Sequence, residues 1–181
     1  MSRDFEKAFD KISHHFLFQI MEKLGFGKRI TKFIKIMYKD ISSKIEINGT
    51  LTGKIKFKRG IRQGCPLSML LFILASDVLT RLIQKNKLIK GVQFQKEVFK
   101  ISQFADDTIF AFQNENEINY INKELDTFGK ISGLKINTSK TQIIITEPLL
   151  KCKIQNKYPN LTITDKLKIL GITFYSEGKK A

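Results

Sequence analysis

Phe99-Lys100-Ile101-Ser102-Gln103-Phe104-Ala105-Asp106-Asp107-Thr108-Ile109-Phe110-Ala111-Phe112 reads as two apolar strands broken by a pair of acids. The flanking residues predict a hairpin with Asp106-Asp107 at its tip. Two carboxylates held there present hard oxygen ligands suited to Mg²⁺. Asp is also a favoured turn residue, so the pair taken alone reads as a structural turn. The apolar walls on both sides favour acids held rigidly against a core.

Outward from this hairpin the patterns alternate. Val92 and Phe94 suggest a strand, and Leu67 to Ile83 is apolar nearly all round, as in a helix crossing the core. Downstream, Ile118, Ile121, Leu125 and Phe128 mark an amphipathic helix ending near Gly133, and Gln142 to Thr146 and Lys168 to Phe174 read as strands. Upstream, Phe16, Leu17, Ile20, Met21 and Leu24 predict a helix over about 13–24, capped by Asp10 or Ser13 and stopped by Gly25. Ile30, Phe33, Ile34 and Met37 repeat that period with lysines on the other face. Ile45 and Ile47, Asn48-Gly49, then Ile55 and Phe57 predict a basic hairpin. Helices mixed with hairpins, without a regular βαβ rhythm, indicate an α+β fold with helices packed on one face of a mostly antiparallel sheet.

The chain has 181 residues, 32 Lys and Arg against 17 Asp and Glu, a formal charge of +15, and is 42% hydrophobic. That is enough apolar material for one core and excludes a disordered chain. The longest unbroken apolar run, Met69 to Ala75, is far short of a membrane span, so no membrane partner is expected. No apolar leader opens the sequence, and Cys65 and Cys152 make no disulfide framework, so an intracellular protein is expected, nuclear or cytoplasmic not being resolved. The excess charge points to a polyanionic partner. Lys28 to Arg59 carries ten basic residues against Asp40 and Glu46. These lysines alternate with apolar residues, so they line structured elements or a plainly solvated face.

Two further stretches carry candidate chemistry. In Asp4-Phe5-Glu6-Lys7-Ala8-Phe9-Asp10, acids lead into the first helix, either as a functional pair or as a helix start capped by Asp10. In Gly60-Ile61-Arg62-Gln63-Gly64-Cys65-Pro66-Leu67-Ser68, glycines let the backbone approach a ligand and Arg62 can pair with phosphate. Asp10, His14 and His15 are read as structural.

Taken in order, these stretches resemble the reverse transcriptase domain of non-LTR retrotransposons of the long interspersed element type. Asp4 to Asp10 resembles that family's motif A, Gly60 to Phe72 motif B, Phe104 to Asp107 motif C, Gly133 to Thr141 motif D and Leu170-Gly171-Ile172 motif E. Met69 departs from the Pro that commonly follows the motif B Ser. The resemblance implies a right-hand polymerase palm, truncated over 1–181, with fingers missing before it and a thumb missing after it, to be supplied from elsewhere or lost. It implies an RNA template, a DNA primer, deoxynucleoside triphosphates and two Mg²⁺ ions, with Mn²⁺ as a substitute. Asp4 and Asp106 would bind the metals beside Asp107. Phe9 would be the steric gate against a 2′-hydroxyl, or an ordinary core Phe. Arg62 and Gln63 would contact nucleotide and template, Lys140 would protonate the pyrophosphate, and Leu170 and Gly171 would sit at the primer grip. Lys54, Lys56, Lys58 and Arg59 would contact nucleic acid. With only three residues ahead of it, Asp4 is expected on a frayed strand, and the isolated chain is expected to extend primers poorly. The rivals are a viral RNA-dependent RNA polymerase, a group II intron or telomerase-type reverse transcriptase, and an inert, basic nucleic-acid-binding relic.

Overall fold

The computed structural model describes residues 1–176. In chain order the elements are β1 (Ser2–Phe5), α1 (Ala8–Lys11), α2 (His14–Lys23), α3 (Lys28–Met37), β2 (Ser42–Ser43), β3 (Glu46–Ile47), β4 (Thr50–Leu51), β5 (Ile55–Lys56) and α4 (Pro66–Lys85). There follow β6 (Val92–Phe94), β7 (Glu97–Phe99), β8 (Ile101–Phe104), β9 (Asp107–Phe110), α5 (Glu115–Ser132), β10 (Ile136–Ile143), α6 (Pro148–Lys157), β11 (Thr162–Ile163), β12 (Lys166–Ile169) and β13 (Ile172–Tyr175).

One five-stranded sheet, in the order β11-β10-β1-β9-β8, organises the molecule. Its pairs are antiparallel except β10 with β11, and α2, α4 and α5 pack together beside it, giving the α+β palm that the motifs imply. The strand carrying Asp4 is not frayed. β1 lies at the centre of the sheet, Met1 is buried, and its amine donates to the Phe110 carbonyl at 2.8 Å, extending the ladder with β9. Pairing on both edges fixes a short strand that its own length could not.

The helices follow their periodicity. Ser13 caps α2 by accepting from the Phe16 amide, and Asn114 caps α5 by accepting from the Asn116 and Glu117 amides. Gly133 ends α5 at φ 80°, a backbone conformation that glycine adopts without strain. Ile118, Ile121 and Phe128 on α5 and Phe72, Ala75, Leu79 and Ile83 on α4 are sealed in the core.

Several expectations are corrected. The strand expected over 142–146 begins earlier, at Ile136, and helix α6 and strand β11 lie in a stretch where none was expected. α3 packs chiefly on α2, so Thr31 and Ile34 are buried while Ile30, Phe33 and Met37 stand exposed. α4 is covered on one side by α2, α5 and β8, which leaves Met69, Leu70 and Ile73 in the open. This helix is also long and apolar enough to cross a membrane by length and composition, since isolated polar residues interrupt its apolar run without lowering its mean hydropathy much; its buried face packs as a core helix does. The basic hairpin forms as two nested two-stranded pieces, β2 with β5 and β3 with β4.

Candidate active site

Phe104 pairs with Asp107 to close the β8–β9 hairpin, so Ala105 and Asp106 form a two-residue tip, with Ala105 at φ 51°. On the neighbouring strand Ser2 is opposite Ile109 and Arg3 opposite Thr108. The pairing ends there, and Asp4, the next residue of β1, lies close enough to Asp107 for its charge to act on that carboxyl. On the other edge of β1, Asp4 is opposite Asn137 of β10. Lys140, also on β10, places Nζ 2.8 Å from Asp4 Oδ2. The structure thus brings Asp4, Asp106, Asp107 and Lys140 together from three elements.

Their electrostatics agree with that proximity. Burial holds the Asp107 carboxyl above its ordinary range, the negative charges of Asp106 and Asp4 add to the effect, and Lys140 opposes it. The hydrogen bond to Asp4 and the charges of all three acids raise Lys140 in turn. Asp4 Oδ1 is buried and has no hydrogen-bond partner among the described residues. A buried carboxylate oxygen left in this way costs on the order of 1–3 kcal/mol unless something positive meets it. Among the described residues no three His, Cys, Asp or Glu side chains already gather as a ligand cage. The acids are neighbours of one lysine, a donor set of hard oxygens of which Asp4 Oδ1 has no hydrogen-bond partner among the described residues.

The loop from Gly60 docks on the segment after Asp4. The Ile61 amide donates to the Phe9 carbonyl at 2.7 Å, the Gly60 amide to the Ile12 carbonyl at 2.8 Å, and His14 Nε2 lies 2.6 Å from the Gly60 carbonyl oxygen. Only glycine fits there, since a Cβ on Gly60 would come within 2.8 Å of the Asp10 carbonyl oxygen. Arg62 and Gln63 project exposed from this anchored loop. The half-buried Phe9 ring stacks on Phe72 of α4, with centroids 4.8 Å apart. His14 is accounted for by its contacts with Gly60 and Tyr38, in keeping with a structural role.

Other residues singled out by the motifs lie elsewhere. Lys54, Lys56 and Lys58 are exposed in and around β5, Lys56 making a loose 3.8 Å ion pair with Asp40. Arg59 leaves that hairpin: it bridges to Ser13, and its guanidinium lies against Gly133 at the end of α5. Leu170 and Gly171 form the exposed tip of the separate β12–β13 hairpin, and neither bonds to the acids.

A family model described as reverse transcriptase (RNA-dependent DNA polymerase) matches residues 1–174. The chain belongs to the reverse transcriptase family. Among curated relatives, the domain is 28% identical over 180 residues to the "Transposon TX1 uncharacterized 149 kDa protein" of Xenopus laevis, covering 98% of this chain and 14% of that protein. It is 29% identical over 188 residues to the "Retrovirus-related Pol polyprotein from type-2 retrotransposable element R2DM" of Drosophila melanogaster, covering 97% of this chain and 17% of that protein. A third match, 29% over 142 residues, is the "Retrovirus-related Pol polyprotein from type-1 retrotransposable element R2" of Popillia japonica, covering 78% of this chain and 20% of that protein. The expected kinship with non-LTR retrotransposon reverse transcriptases is borne out, and the domain spans about one sixth of the length of these relatives.

Sequence reading of the domain missed the scaffold behind the acids. Thr80 on α4 donates to Gln103 Oε1 at 2.6 Å, and Gln103 Nε2 donates to Thr108 Oγ1 at 3.3 Å, tying both strands of the acidic hairpin to the central helix. Polar residues within the apolar run 99–112 were the available signal.

Proposed function

We propose that this chain supplies the palm of an RNA-directed DNA polymerase from a non-LTR retrotransposon, transferring a deoxynucleotide to a primer 3′-hydroxyl on an RNA template. The observation that carries the reading is the meeting of Asp4 with Asp106 and Asp107 across the β1–β9 pair, with Asp4 Oδ1 left buried and unpartnered. Reverse transcriptases are divalent-metal-dependent as a family, and this oxygen-only donor set fits Mg²⁺, or Mn²⁺ in its place. Asp4 and Asp106 would hold two ions, with Asp107 adding negative charge beside them. Such ions, when bound, activate the 3′-hydroxyl and neutralise the pyrophosphate leaving group.

The remaining roles belong to the chain itself. Lys140 is released from Asp4 and left free to donate a proton to the departing pyrophosphate. Arg62 and Gln63 hold the triphosphate and template from the loop anchored on Phe9. The Phe9 ring, backed by Phe72, sets the width of the sugar pocket. Lys54, Lys56 and Lys58 bind phosphates by releasing counterions, and Leu170 and Gly171 contact the primer.

The test has two parts. Mn²⁺ binding to the chain is followed by electron paramagnetic resonance, and Mg²⁺-dependent extension is assayed with the chain joined to finger and thumb segments of a relative. Asp4→Asn and Asp106→Asn should each abolish both signals. Persistent extension in Asp106→Asn would refute the reading. Salt-sensitive RNA binding with no metal binding would leave the inert binder in its place.

A further inference from the structure

Beyond the polymerase site, an open cavity lies behind β1. Alternation along the strand sends Asp4 to one face and Arg3 and Phe5 to the other, where Arg3 Nη2 donates to Asn122 of α5 at 2.6 Å. Here an open groove of about 780 Å³ runs between α5 and the sheet, floored by Leu125 and Leu134. Its charged residues are Arg3, Arg59, Lys130 and Lys135 against a single acid, Asp126.

Arg3 is the unusual member, a guanidinium on a side chain only 8% exposed. Burial pulls it down to about 10, the charge of Asp126 opposing, so it stays a cation at neutral pH. Its partners are one amide oxygen and a weak thioether acceptor, Met1 Sδ at 3.4 Å; no carboxylate forms an ion pair with it among the described residues. A buried cation so thinly compensated has strong demand for an anion. Arg59 arrives at the same groove from the end of the Lys54, Lys56 and Lys58 run, its guanidinium seated on Gly133, where a side chain would crowd it at 3.2 Å.

The geometry points to a second nucleic-acid site: a single strand leaves the basic hairpin and lies in this rear groove, its phosphates held by Arg3, Arg59, Lys130 and Lys135. The inference rests on the nucleic-acid reading of the chain but not on its chemistry. Guanidinium forks match phosphate oxygens. Among the described residues no aromatic ring lines the groove for stacking, so the grip is on the backbone and is independent of base sequence. An extended acidic protein segment is the competing occupant.

The test uses the full chain carrying Asp106→Asn, in EDTA, with fluorescent oligouridine and oligodeoxythymidine across a salt series. Arg59→Ala with Lys130→Ala should weaken oligouridine binding roughly tenfold and lower the salt slope by about 1.4, the single-strand contribution of two phosphates no longer neutralised. The charge-matched pair Lys87→Ala with Lys153→Ala, far along the chain and exposed, should cost no more than about twofold. In parallel, oligouridine should protect Lys130 and Lys135 from acetylation. A weaker effect with oligodeoxythymidine would mark the strand as RNA, and equal effects a groove that takes either. Equal losses for the two paired variants would overturn the site, as would protection by polyglutamate in place of oligouridine. Neither result touches the carboxylates, so the polymerase reading is judged separately.

Discussion

Lys140 Nζ and Asp4 Oδ2, 136 residues apart in sequence, meet at 2.8 Å on adjacent strands. The lysine is 65% exposed and the aspartate 19%, so the bond is worth more to the charge balance of the three acids than to folding. Lys140 is the positive charge that opposes the mutual repulsion of Asp4, Asp106 and Asp107.

Removing that charge should therefore tighten metal binding. In Lys140→Met, Mn²⁺ affinity measured by titration calorimetry should rise several-fold, because the ion no longer displaces an ammonium from Asp4. The Asp107 carboxyl, which Lys140 holds down, should titrate higher still when followed by carbon NMR. Weaker binding would mean that Lys140 orders Asp4 for the ion.

Asp107 also sets a pH dependence. Its folded value lies above the ordinary 3.8, so protonation favours the folded state. The stability this contributes is fully present below 3.8 and is lost as pH rises through the raised folded value. Asp107→Asn should consequently raise Tm at pH 7 and gain less from added Mg²⁺ than the parent chain, as read by thermal melting. No change in either would remove the repulsion argument.

Ala105 at the tip of the acidic hairpin has a φ of 51°, a left-handed conformation costing an L-residue about 1–2 kcal/mol. Glycine avoids that strain but loses about 0.5–1 kcal/mol in chain entropy. Ala105→Gly should thus stabilise the chain by about 0.5–1 kcal/mol in urea unfolding. Destabilisation would show that the methyl group packs more than it strains.

Phe9 is tested by separating packing from selectivity. Phe9→Val removes one ring of the stack on Phe72 and should cost about 1–2 kcal/mol of stability. In the extended protein it should also raise ribonucleotide use relative to deoxynucleotide use. A loss of both activities in proportion to stability would make Phe9 a packing residue alone.

Local pattern was enough to place α2, α5 and the acidic hairpin, because helical periodicity, the Ser13 cap, the Gly133 stop and the two acids within an apolar run are all properties of neighbouring residues. It also ordered the motifs that carry the family resemblance. What it could not weigh was pairing at a distance. Ser2 to Phe5 is too short to read as a strand, yet β9 and β10, more than a hundred residues on, make it the centre of the sheet. That register alone decides that Asp4 meets Asp107 and Lys140 while Arg3, one residue earlier, is driven into the opposite groove. The exposed apolar faces of α3 and α4 have the same origin: periodicity says which side of a helix is apolar, and only the packing of the other elements says whether anything covers it.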